Sequence, residues 1–165
     1  MKKLVVIAEK EELKLVEELG YGGWPVLITG VGAMNIINAL NDLPRDMTIV
    51  NIGYAGSKDL EPGKFYAIDR VSLYHPNVNY PEKESCLSMH YTVAYENEER
   101  FAANEKITSC YTSNDFVLET DKKGCVFDME LAFIAALGFK DLVSFKYVSD
   151  NLDLQEYREK LKDEN

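Results

Sequence analysis

The chain has 165 residues, 46% of them hydrophobic, enough for one domain (1–165) whose folding buries roughly two thirds of its extended-chain surface in a single core. Eighteen basic against twenty-eight acidic residues leave a formal charge of −10, which repels phosphate backbones and anionic lipid heads and so excludes nucleic acid and membrane surfaces as partners. No apolar run approaches the ~20 residues that span a bilayer, and Leu4 to Ala8 behind Met1-Lys2-Lys3 is too short for a signal-peptide core, so a cytoplasmic protein is expected.

Leu4 to Ala8 is a short branched apolar run that predicts a strand, and Leu13, Leu15, Val16 and Leu19 follow at helical spacing, with Gly20 as the stop. Pro25 to Thr29 repeats the strand pattern, Gly30-Val31-Gly32 makes a tight turn, and Met34, Ile36, Ile37 and Leu40 continue helically to Pro44. Met47 to Ile52 is a third strand that leaves the sheet at Gly53-Tyr54-Ala55-Gly56, after which Phe65 to Leu73 reads as an extended β arm. Between His75 and Ser88 the composition turns to Pro, Asn, Glu and Lys without periodicity, which predicts a long loop. Met89 to Tyr95 alternates with period two, Glu98 to Ala103 reads as a short helix, and Lys106 to Thr112 and Gly124 to Phe127 as strands. Met129 to Leu137 is a helix, Leu142 to Val148 the last core strand, and a charged helix runs on from Leu152. This alternation predicts α/β, a three-layer α/β/α domain around a central mixed sheet.

Cys86, Cys110 and Cys125 are odd in number and lack Cys-x-x-Cys spacing, so they read as reduced, mostly buried thiols. With only His75 and His90, and no Glu at catalytic-zinc spacing, a hydrolytic metal site has no support. No Gly-x-Ser-x-Gly elbow is present for serine-hydrolase chemistry. Gly30-Val31-Gly32 follows a strand and opens a helix, so its N–H groups can face an anion or a sugar hydroxyl, although a plain strand-to-helix turn fits as well. The small residues of Asn51 to Gly56 let a ligand approach the backbone, or serve a tight turn. Glu11 and Glu12 suit the first turn of a helix, as do Asp128 and Glu130, while Ser149-Asp150-Asn151 suits an N-cap. Each acid alone is ordinary. Acids at the ends of two strands nevertheless suggest a small-molecule site, because loops beyond strand carboxyl ends aim side chains at one point over a rigid scaffold.

In this order, Val5-Val6-Ile7-Ala8 with Glu11-Glu12, Ile28-Thr29-Gly30-Val31-Gly32, Asn51-Ile52-Gly53-Tyr54-Ala55-Gly56, Pro62-Gly63-Lys64, Ser113-Asn114-Asp115-Phe116-Val117, Asp128-Met129-Glu130 and Val148-Ser149-Asp150 resemble the nucleoside phosphorylase and nucleosidase superfamily. The resemblance is greatest to the 5′-methylthioadenosine/S-adenosylhomocysteine nucleosidases of purine nucleoside metabolism and methionine salvage. It implies that Asp150 protonates the purine at N7, that Glu12 activates the attacking water, and that Glu130 binds the ribose hydroxyls. It further implies that Phe116 stacks on the base, that the Val117 backbone reads the base edge, and that Met129 packs on the ribose. Tyr54 and His75 would line the sugar and its 5′ substituent, and Gly32 would also bind the substrate. The implied protein is a homodimer or larger homo-oligomer in which a neighbour's 75–88 loop completes the pocket, and no metal or organic cofactor is implied.

Against the family pattern the chain is short: only Gly20 to Trp24 separate the first helix from Pro25, where relatives carry a β-hairpin. Lys146 stands for a common arginine, Asp128 for a glutamate, and Tyr54 for a serine or threonine. Arg45, Arg70, Arg100 and Arg158 are all outside the motifs, and phosphorolysis needs a bidentate anion grip. Hydrolysis is therefore expected, with a phosphorylase or a non-catalytic nucleoside binder as the alternatives.

Overall fold

The computed structural model describes residues 2–74, 90–92 and 106–163. The first apolar run forms β1 (Lys3–Ile7), followed by a 3-10 turn at Lys10–Glu12 and helix α1 (Leu13–Glu18). Next come β2 (Val26–Ile28), α2 (Ala33–Leu40), β3 (Thr48–Gly56), β4 (Phe65–Leu73) and β5 (His90–Thr92). The chain continues through β6 (Lys106–Thr112), β7 (Cys125–Asp128), α3 (Leu131–Ala136), β8 (Asp141–Asp150) and α4 (Leu154–Asp163). The expected loop over 75–88 and the short helix over 98–103 lie outside the described residues.

The strands form one mixed sheet. β1 runs parallel to both β2 and β3, and β3 runs parallel to β8 from Thr48↔Asp141 onward. β8 pairs antiparallel with β4, β4 pairs parallel with β6, β6 pairs parallel with β7, and β7 returns antiparallel to β3 through Gly56↔Phe127. The pairings thus close a five-stranded ring, β3-β8-β4-β6-β7, with β1 and β2 extending from it. β4 is consequently part of the ring wall. The extended segment expected over Phe65 to Leu73 is β4, and both of its faces find partners: Tyr66, Ile68 and Val71 are buried in one core and Ala67 in the other.

Side-chain alternation along the strands explains the layers. Val6, Ile49 and Val148 face α2 and α3, which contribute Ile36, Leu40, Leu131 and Ile134. Val5, Ile7, Val50, Ile52 and Phe145 face the other way, toward Leu15 and Val16 of α1, with Tyr157 and Leu161 of α4 packed against them. The result is the predicted three-layer α/β/α arrangement. Cys110 and Cys125 are buried free thiols, as expected, whereas Cys86 lies outside the described residues. Among the described residues no helix is long and apolar enough to cross a membrane.

Candidate active site

Glu12 ends the 3-10 turn beyond β1 and is buried there at 5% exposure. Three backbone N–H groups hold its carboxylate: Ala8 and Glu9 donate to Oε1 at 2.8 and 2.9 Å, and Tyr54 donates to Oε2 at 2.7 Å. A carboxylate has about four acceptor sites. Oε1 has both of its sites filled, so the remaining one lies on Oε2. Burial pushes the Glu12 carboxyl up to about 7, against the pull of those donors and of the Lys146 ammonium.

The room for this carboxylate comes from β3. A Cβ on Gly53 would stand 2.6 Å from Glu12 Oε2, and one on Gly56 would stand 2.9 Å from Asp150 Oδ2. The glycines of the Asn51 to Gly56 motif therefore make way for the protein's own carboxylates. They do not form a turn, because β3 runs through to Gly56 instead of stopping at Ile52.

Asp150 ends β8. The β3/β8 register shifts between Ala55 and Gly56, so that Ala55 pairs with Val148 but Gly56 pairs with Asp150, a bulge that re-aims the strand end. The carboxylate is fully buried; Ser149 Oγ donates to Oδ1 at 2.7 Å and Leu152 N–H to Oδ2 at 2.9 Å. Burial raises its pKa against both donors. It does not cap the last helix. That role belongs to Asp153, whose Oδ1 accepts from the N–H groups of Gln155 and Glu156 at 2.8 and 3.2 Å.

Glu130 precedes α3, which begins at Leu131 and not at Met129. Its Oε2 accepts the Gly32 N–H at 2.9 Å, so the glycine turn serves a carboxylate of this chain and not an external anion. Gly32 has φ +90°, a conformation open to glycine at little cost. Burial, then the nearby Asp128 charge, raises the Glu130 pKa. Asp128 at the end of β7 behaves oppositely. Its Oδ2 lies 2.9 Å from Lys146 Nζ and accepts the Leu131 N–H, while Oδ1 accepts from the Thr112 hydroxyl and, at 3.3 Å, from Cys110 Sγ. Burial works to raise this carboxyl, but the Lys146 ammonium outweighs it and holds Asp128 below its ordinary value.

These carboxylates meet at one cavity of about 170 Å³. Of the residues singled out in the sequence, Glu12, Tyr54, Phe116, Met129, Glu130 and Asp150 line it. Gly32 acts behind it through Glu130. Val117 is not among the lining residues and packs instead on the small cluster of Cys125, Phe127 and Leu152. His75 lies outside the described residues. Three lining residues were not singled out from the sequence: Glu9, Phe127 and Tyr157. The Tyr157 ring stands 5.5 Å from Phe116 and 6.4 Å from Tyr54, and its hydroxyl donates to Glu9 Oε2 at 3.0 Å. Glu9 had a signal in its position beside Glu11-Glu12 at a strand end, while Tyr157 looked like one apolar position of a charged helix.

No protein-family model matches the sequence, and no curated protein matches it. Solved structures do match. The 5′-methylthioadenosine/S-adenosylhomocysteine nucleosidase of Neisseria meningitidis, solved with methylthio-immucillin-A, superposes with TM-score 0.71 at 19% identity, over 98% of this chain and 93% of that one. The fold is that of the nucleosidases. The corresponding nucleosidase of Chlamydia trachomatis gives TM-score 0.71 at 18% identity, over 99% of this chain and 88% of that one. A futalosine hydrolase mutant of Helicobacter pylori gives 0.70 at 16%, over 99% and 91%. The nucleosidase fold thus carries more than one named activity, and at such identities the likeness speaks for architecture; substrate has to be argued from the site.

Proposed function

We propose that the protein is a purine nucleosidase that hydrolyses the N-glycosidic bond of 5′-methylthioadenosine, S-adenosylhomocysteine or a related purine nucleoside to free base and sugar. The observation that carries this reading is the convergence of Glu12, Glu130 and Asp150 on one cavity that Phe116 also lines. Breaking the bond from C1′ to the base puts negative charge on the purine and positive charge on the sugar. Asp150, whose pKa burial raises, donates a proton from its acid form to N7 and improves the leaving group. Glu12 in its ionised form takes a proton from water through the free site on Oε2 as the water oxygen bonds to C1′. Glu130, held on one oxygen by Gly32, offers the other to the ribose hydroxyls and in its ionised form stabilises the cationic sugar. Phe116 supplies a face for the base, and Met129 an apolar contact for the ribose.

Water is favoured over phosphate as nucleophile because none of the described arginines lines the cavity, and the Glu12 charge repels an anion. The test is release of free base from a panel of purine nucleosides with and without phosphate. Phosphate-independent release supports a nucleosidase. Release that requires phosphate replaces it with a phosphorylase, and binding without release with a nucleoside-binding protein.

The protein is further proposed to work as a homo-oligomer. Val31, Met34 and Ile37 recur every third residue at the start and along one side of α2 and are 38%, 69% and 42% exposed, an apolar strip that a second copy would cover. Sedimentation of the wild type and of Met34→Glu tests this, with a shift toward monomer expected in the variant.

A further inference from the structure

We infer that the cavity selects a nucleoside whose 5′ substituent is a hydrogen-bond donor, a 5′-hydroxyl in preference to an apolar alkylthio group, with Glu9 and Tyr157 as the selecting residues. The inference rests on the nucleosidase reading and narrows it. With the base at Phe116 and Asp150, and the sugar between Glu12 and Glu130, the polar side chains left on the lining among the described residues are Asp128, Glu9 and Tyr157. Asp128 is committed to Lys146, Thr112 and the Leu131 N–H. What faces the rest of the sugar is therefore the Glu9 carboxylate, with the Tyr157 hydroxyl on its Oε2.

That carboxylate accepts from Tyr157 and, in the capping box of the 3-10 turn, from the Glu12 N–H, and of its about four acceptor sites it keeps the rest. A 5′-hydroxyl donates into it. An alkylthio group offers no donor and strips water from the carboxylate without replacing the lost bonds. The Tyr157 ring, wedged between Phe116 and Tyr54, fixes the hydroxyl that orients Glu9.

The test compares kcat/KM for adenosine, 5′-deoxyadenosine and 5′-methylthioadenosine in the wild type and in Glu9→Leu. The wild type is expected to favour the 5′-hydroxyl over the 5′-deoxy and methylthio compounds by about tenfold to a hundredfold, as loss of one hydrogen bond to a charged group predicts. Glu9→Leu should erase or reverse that ratio, and Tyr157→Phe should reduce it. A wild type that prefers the methylthio compound, or a ratio unchanged in Glu9→Leu, overturns the inference while leaving the nucleosidase reading standing. Absence of base release from all three overturns the nucleosidase reading instead. Calorimetric affinities of the same three compounds then decide the 5′ preference, with equal affinities overturning it.

Discussion

Two sets of buried carboxylates stand within a few residues of each other and titrate in opposite directions. Asp128, paired with Lys146, is held below its ordinary pKa, whereas Glu12, Glu130 and Asp150, which share the cavity lining with it, are all raised. Burial is common to both sets. The difference is the Lys146 ammonium, which touches Asp128 at 2.9 Å and reaches Glu12 and Glu130 only through space. Lys146 is itself raised, because the Asp128 charge outweighs the cost of burying the ammonium. One region spends its charge on a closed pair, and the other keeps carboxyls whose proton can move. Structure and chemistry are thereby separated along β7 and β8, which each contribute one residue to the pair and lead into one residue of the cavity.

The largest expected effect lies on the cavity side. Asp150→Asn keeps the shape, since the amide oxygen can accept from Leu152 N–H while the amide nitrogen donates to Ser149 Oγ. It removes the proton, and kcat should fall by about 10²- to 10⁴-fold with purine affinity largely retained; an active variant would remove Asp150 from the general-acid role. On the ring side, Lys146→Met strands Asp128 as an unpaired buried charge and should cost about 3–5 kcal/mol of stability, read by urea unfolding at neutral pH. Acidification should recover part of that loss, because protonating Asp128 removes the stranded charge. A loss below about 1 kcal/mol would show that the pair contributes little to holding β7 and β8 together.

The finest effect is the pH profile. With Glu12 at about 7, the base is protonated below that pH and ionised above it, so kcat/KM should climb as pH rises through about 7. Glu12→Gln should lose that limb along with most of the rate. A wild-type profile flat from pH 6 to 8 would mean that another group activates the water.

The order of strands and helices on the two sides of β3 was readable because each short apolar run alternates and each helix repeats its buried side chains at 3.6-residue spacing. The convergence of Glu12, Phe116, Glu130 and Asp150 was readable from motifs in sequence order. The roles of the glycines were not. Gly53 and Gly56 look like turn residues locally, and only the approach of Glu12 and Asp150 from distant parts of the chain shows what they leave room for. Tyr157 was missed because its cavity role depends on where α4 lies against β8 and not on its own helix pattern.

The sequence by itself determined the α/β alternation, the two-faced strands and the identity of the acids available to a site, since all of these follow from local periodicity and residue chemistry. Only the tertiary structure decided which acid is paired and which is left to titrate, that β4 closes a ring, and that Glu9 meets Tyr157. Those outcomes depend on strand register and on distances between residues far apart in the chain, which set desolvation and Coulombic interaction and leave no local trace.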